Sequence, residues 1–118
     1  MKNKPSVEVI ASPHFAQSLK QLRKKYRHVA DDIKPLIVQL EQGKTPGDQV
    51  MGVRSTVFKT RVASSDVKRG KSGGYRVIYY LRTKESVFLV EIYTKGEQSD
   101  IRANELQRLV REIESEID

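Results

Sequence analysis

The sequence predicts an α+β domain: a small antiparallel sheet with an N-terminal helical hairpin packed on one face and a C-terminal helix, in the order β-α-α-β-β-β-α. Three observations carry this reading. Apolar residues recur at helical spacing near both ends, three segments rich in aromatic and β-branched residues lie between, and turn residues rather than a helix separate those segments. The 118 residues are read as one domain spanning 1–118, long enough to bury a single core.

Val7 to Ile10 alternates weakly and reads as a short edge strand. Ser12-Pro13 then supplies an N-cap and a proline at the first helical position, ahead of Phe15, Leu19, Leu22, Tyr26 and Val29 at helical spacing. Lys20, Arg23, Lys24, Lys25 and Arg27 fall mostly off that stripe, which leaves a basic outer face. A second helix reads from about Asp31, with Ile33, Leu36, Ile37 and Leu40 inward, acids in its first turn and Gly43 as its stop. Pro35 fits only if it sits in the first turn. The short break between the helices implies an antiparallel hairpin. Lys44 to Arg54 reads as a loop, and Thr56 to Ala63, Tyr75 to Arg82 and Val87 to Thr94 as an antiparallel meander. Asp100 to Asp118 places Leu106, Leu109, Val110, Ile113 and Ile117 on one helical face.

Charge is unevenly spread along the chain, which carries a net +7. Residues 1–53 contribute +4, residues 54–84 contribute +8 from nine bases and one acid, and residues 85–118 contribute −5. A basic block of that kind on a folded domain is the footprint of a polyanion site. The fragment "GKS" at Gly70 to Ser72 looks like the end of a phosphate-binding P-loop, but Ser65 stands where its first glycine belongs and a strand, not a helix, follows. The chain has no cysteine, no apolar run of membrane-spanning length and no charged-then-apolar leader. The expectation is a cytoplasmic protein without disulfides or membrane contact.

Strand periodicity assigns side chains to faces. Phe58, Thr60 and Val62 share one side of their strand, and Val57, Lys59 and Arg61 the other. Two cations at i and i+2 repel, so a counter-ion is expected across them. Arg76 lies with Ile78 and Tyr80, while Tyr93 and Lys95 lie with Leu89 and Glu91. If Arg76 and Tyr93 join Lys59 and Arg61, the open sheet face becomes a cationic groove with tyrosines beside it. Such a groove suits single-stranded RNA, with cations for phosphates and aromatic faces for unstacked bases. Arg69 and Lys71 of the preceding basic loop are further candidates for RNA contacts.

The segments "VFKTRV", "RGKSGGYRVIYYL" and "EIYTKGEQSDI", with the helical hairpin before them, resemble the RelE/ParE superfamily of bacterial toxins, closest to its RelE-like and HigB-like branch. The resemblance covers about Val7 to Leu109. It implies the same element order, and a toxin that enters the ribosomal A site, cuts mRNA there and is silenced by a small antitoxin encoded beside it. It also implies a helix-turn-helix or similar DNA-binding antitoxin, so that operator DNA is reached only through that partner. The family's functional cations match Lys59, Arg61 and Arg76, and Lys95 sits where the family has a lysine at the end of the last strand. Gly96 departs from an arginine directly after that lysine, and Arg102 from a tyrosine in the C-terminal segment. Tyr93 and Arg102 are the candidates to replace them.

His14 and His28 both belong to the first helical region, and no Cys/His/Asp cluster has metal-ligand spacing, so neither a histidine couple nor a metal or other cofactor is expected. Cleavage would rest on orienting the ribose 2′-OH and on fixed cations that stabilise developing charge. Lys59 and Lys95, among neighbouring cations, are candidates for proton transfer, with Glu97 as an alternative base. Two other classes stay open: a ParE-like inhibitor of DNA gyrase, which needs no cations on the sheet face, and a basic RNA-binding module that does not cleave.

Overall fold

The computed structural model describes residues 6–66, 74–96 and 100–117. The α+β reading holds: β1 (Glu8–Ala11), α1 (Pro13–Arg23), α2 (Val29–Asp32), α3 (Lys34–Glu41), β2 (Asp48–Gln49), β3 (Val57–Val62), β4 (Tyr75–Thr83), β5 (Ser86–Thr94) and α4 (Ala103–Ile117). The strands form one sheet in the order β1-β5-β4-β3-β2. The meander β3-β4-β5 is antiparallel as expected, but β1 runs parallel to β5, so the sheet is mixed. Backbone bonds from Glu8 N to Glu85 O (2.8 Å) and from Ser12 N to Leu89 O (3.0 Å) extend that parallel pairing at both ends. The loop after the hairpin contributes the two-residue β2, paired antiparallel with Phe58 and Lys59.

Local sequence explains the helix boundaries. Ser12 caps α1, its Oγ accepting from Phe15 N at 3.1 Å, and Pro13 stands in the first turn where no N–H is needed. The chain leaves α1 near Lys24, so Tyr26 and Val29 belong to the turn and to α2 rather than to one long helix. The expected second helix is split at Ile33, because Pro35 lacks the N–H that would bond Asp31 and occupies the first turn of α3 instead. At the far end, Gly43 (φ 86°) donates to Leu40 O and Lys44 to Gln39 O, a Schellman stop.

Both sheet faces are covered. Phe15, Leu22, Val29, Ile33, Leu36 and Leu40 pack against Tyr75, Val77, Tyr79, Val87, Leu89 and Ile92 on one face. On the other, Leu106, Leu109, Val110 and Ile113 of α4 pack against Val57, Ile78, Tyr80, Phe88 and Val90. The face expected to stay open is thus covered in part by α4. The signal for that cover was present in "YRVIYYL" and "VFLVEIY", which are nearly continuous apolar runs, as strands buried on both faces are. Tyr80 OH and Arg82 Nε both donate to Glu114 Oε2 and tie α4 to β4.

Candidate functional site

The cations of β3 and β4 meet on the α4 side of the sheet. Alternation holds in β3: Phe58 and Val62 pack towards the hairpin helices, while Val57 turns to the α4 side with Lys59 and Arg61 in phase. Register then places Arg61 opposite Arg76 and Arg76 opposite Tyr93, one continuous cross-strand row, with Lys59 opposite Ile78 in the row next but one. The expected alternation in β5 fails. A bulge between the Ile78–Glu91 and Tyr79–Leu89 pairs leaves Val90 as the extra residue. Leu89 consequently faces the hairpin helices while Tyr93 faces α4.

Directly opposed side chains stand about 4.5–5.5 Å apart at Cβ, and like charges there repel. Arg61 and Arg76 are such a pair, and neither has a described acidic partner in a salt bridge. Arg76 Nη1 is buried and has no hydrogen-bond acceptor among the described residues. A buried donor left unpaired costs roughly 1–3 kcal/mol. Ion pairing with Glu91 is not how Arg76 is used. The Glu91 carboxylate bonds His14 Nε2 at 2.7 Å and Ile92 N at 3.0 Å.

The counter-ion expected opposite Lys59 is supplied by Asp100, which sequence reasoning missed. Lys59 Nζ lies 3.1 Å from Asp100 Oδ2, and Tyr93 OH donates to Asp100 Oδ1 at 3.1 Å. Hydrogen bonds from Lys59 and then Tyr93 hold the Asp100 carboxyl below the usual carboxylate range. Burial, with Asp100 second, pushes Tyr93 up to about 12. Tyr93 is thus a neutral phenol at physiological pH, a donor and not a base. Its ring is only 4% exposed and packs in the α4-side core. The expected role of Tyr93 as an open stacking surface is corrected to that of a hydroxyl at the edge of the row. No local pattern marked Asp100, which stands seven positions along the chain from Tyr93.

Lys95 is exposed just past β5, and no described contact joins it to Lys59, Arg61 or Arg76. Arg102 is exposed, and its carbonyl accepts from Glu105 N and Leu106 N (both 3.1 Å), so its backbone starts α4. Arg69, Lys71 and Glu97 lie outside the described residues. The base of the basic loop is nonetheless anchored. Gly74 enters β4 at φ 94°, where a Cβ would come within 2.5 Å of Val62 O. On the other side, Ser65 N donates to Asp32 Oδ2 at 2.9 Å, and Asp66 accepts from His28 N (3.0 Å) and His28 Nδ1 (2.8 Å).

The His28–Asp66 clasp makes that anchor pH-dependent. The hydrogen bond and then the charge of Asp66 raise His28 above its ordinary 6.5, while the same hydrogen bond lowers Asp66 below its ordinary 3.8. The His28 contribution is whole below about 6.5 and is lost as pH rises through the folded-state value; that of Asp66 is whole above about 3.8 and is lost as pH falls through its own. The clasp is complete between those limits. An NMR titration of the His28 imidazole should give a midpoint above 6.5 that Asp66→Asn returns to the ordinary range. An unshifted midpoint in the unsubstituted protein would contradict the clasp.

Among the described residues, no helix is long and apolar enough to cross a membrane. The chain matches the family model described as the RelE toxin of the RelE/RelB toxin–antitoxin system over residues 14–117, a stretch that runs from the first turn of α1 to the end of α4 and includes every cation of the row. Membership implies a cognate antitoxin of the RelB type as partner. An α+β sheet with a cationic row and a family match over nearly its whole length agree: the chain belongs to the RelE toxin family, the toxin half of a toxin–antitoxin pair.

Proposed function

We propose that the chain is a ribosome-dependent mRNA endoribonuclease that stops translation by cutting mRNA in the A site, with Arg61, Arg76 and Lys59 as the groups that hold the scissile phosphate. The observation that carries this reading is the buried Arg76 Nη1, which has no acceptor among the described residues, in a row where Arg61 and Arg76 face each other without a salt-bridge partner among those residues. Endoribonuclease activity is general in the family. The protein would act in the cytoplasm, on ribosomes and mRNA, and would reach operator DNA only through its antitoxin.

The chemistry that suits fixed cations is internal transfer. The ribose 2′-oxygen attacks the adjacent phosphorus, the bond from phosphorus to the 5′-oxygen breaks, the 2′-OH proton leaves to a base and the departing 5′-oxygen takes up a proton. Arginine forks bind the non-bridging oxygens as their charge grows. Lys59, with Lys95 and Glu97 as alternatives, is the candidate for proton transfer, and Arg69, Lys71 and Arg102 are candidates for contacts along the strand. Asp100 neutralises Lys59 while the site is free and, at 71% side-chain exposure, is placed to yield to a phosphate.

Two measurements test this. Toeprinting on translating ribosomes should show defined cuts, whereas intact mRNA together with relaxed DNA would mean gyrase inhibition. The downstream fragment should carry a 5′-hydroxyl and accept phosphate from a kinase without prior dephosphorylation. A 5′-phosphate on that fragment would rule out internal transfer at this row.

A further inference from the structure

Beside α4 lies a cleft of about 710 Å³ lined by Gly52, Arg54, Ala103, Asn104, Gln107 and Arg111. Asn104, Gln107 and Arg111 stand at i, i+3 and i+7 and share one helical face. Glu105, Arg108 and Glu112 repeat that spacing about 100° round the helix, at 3.6 residues per turn. On their face the charges are matched. Arg108 donates to Glu105 and to Glu112, at 2.6 Å each. Around the cleft they are not: no carboxylate lines it, and neither Arg54 nor Arg111 has a salt-bridge partner among the described residues. Gln107 is held in one orientation, its Oε1 accepting from Arg54 N at 2.9 Å, which leaves its NH2 as a free donor.

The cleft adjoins the cation row. Asp100, bonded to Lys59 and Tyr93, is three residues from Ala103 in the cleft wall. Three residues span at most about 10–11 Å. That reach corresponds to roughly three stacked nucleotides, at about 3.4 Å per nucleotide along one strand. Two guanidinium groups beside two carboxamides, without a carboxylate, form a donor set for a phosphate and a base edge.

We propose that this cleft is a second RNA subsite, which takes a nucleotide flanking the scissile one with Arg54 and Arg111 on its phosphate and Asn104 and Gln107 on its base edge. The proposal rests on the nuclease reading above. It makes these residues positioning groups that set affinity and sequence preference and take no part in bond breaking.

The test maps cuts on ribosomes programmed with mRNA randomised around the A-site codon, at varied toxin concentration. Arg54→Ala with Arg111→Ala should raise the half-saturating concentration about tenfold or more, as expected from losing charge-assisted hydrogen bonds, while the saturated rate stays within about threefold. Gln107→Glu keeps the acceptor for Arg54 N and removes the donors, so a structural role for Gln107 would leave cleavage unaltered. Here it should weaken saturation, and Asn104→Ala should flatten the base preference at one position. Unchanged half-saturation and an unchanged cut pattern in these variants, with the unsubstituted protein active, would overturn the subsite and leave the nuclease reading standing. If the unsubstituted protein leaves mRNA intact, the nuclease reading falls first and the subsite with it. Uniform loss of the saturated rate would place these residues in the chemistry and also overturn the proposal.

Discussion

Arg76→Ala is expected to abolish growth inhibition and to lower the cleavage rate on ribosomes by roughly 10²–10³, the usual loss when one fixed transition-state donor is removed. The fold should survive. Arg76 opposes Arg61 and carries a buried nitrogen without an acceptor among the described residues, so its removal takes away a like-charge contact and a donor unpaired there. The unfolding midpoint should consequently hold or rise, which separates this variant from one that is inactive because it is unfolded. Arg76→Lys should recover only part of the rate, since an ammonium keeps the charge but not the planar fork. Full toxicity in a folded Arg76→Ala protein would remove Arg76 from the site. Lys59→Ala and Arg61→Ala should act in the same direction with smaller losses, Lys59 being already neutralised by Asp100 and Arg61 being exposed.

Leu106→Ala should give the second large effect, through stability. Leu106 is 1% exposed and sits in the first turns of α4, against the sheet face that carries the row. Truncating a buried leucine costs about 2–5 kcal/mol from lost transfer energy and the cavity left behind. A domain of this size holds about 5–15 kcal/mol in all, so the urea midpoint should drop by a large fraction. Exchange protection of the first α4 amides should fall further than that of β4. A loss below about 1 kcal/mol would mean that α4 is not held by this core.

Much of the site was legible because strands and helices report their periods locally. In β3, alternation alone separated Lys59 and Arg61 from Phe58 and Val62, and the two cations at i and i+2 called for a counter-ion. In β5 the same rule misassigned Tyr93 relative to Leu89, because a bulge adds one residue and reverses the phase beyond it. Pro35 was recognised as fitting only a first turn, and it stands in the first turn of α3, a separate helix from α2.

From sequence alone came the α+β class, the order of the major elements, the Ser12 and Gly43 helix signals and the cations of β3 and β4, all properties of neighbouring residues. Only the tertiary structure decided which of them meet. The row Arg61–Arg76–Tyr93 is a matter of register between strands, the parallel docking of β1 on β5 joins residues some 78 positions apart, and Asp100 arrives at Lys59 from 41 positions away. The placement of α4 on the face opposite the hairpin follows from two central strands that are apolar on both sides and need two covers. Contacts between distant segments form when buried area and polar pairing repay the entropy of closing long loops, and no period within a single segment records that balance.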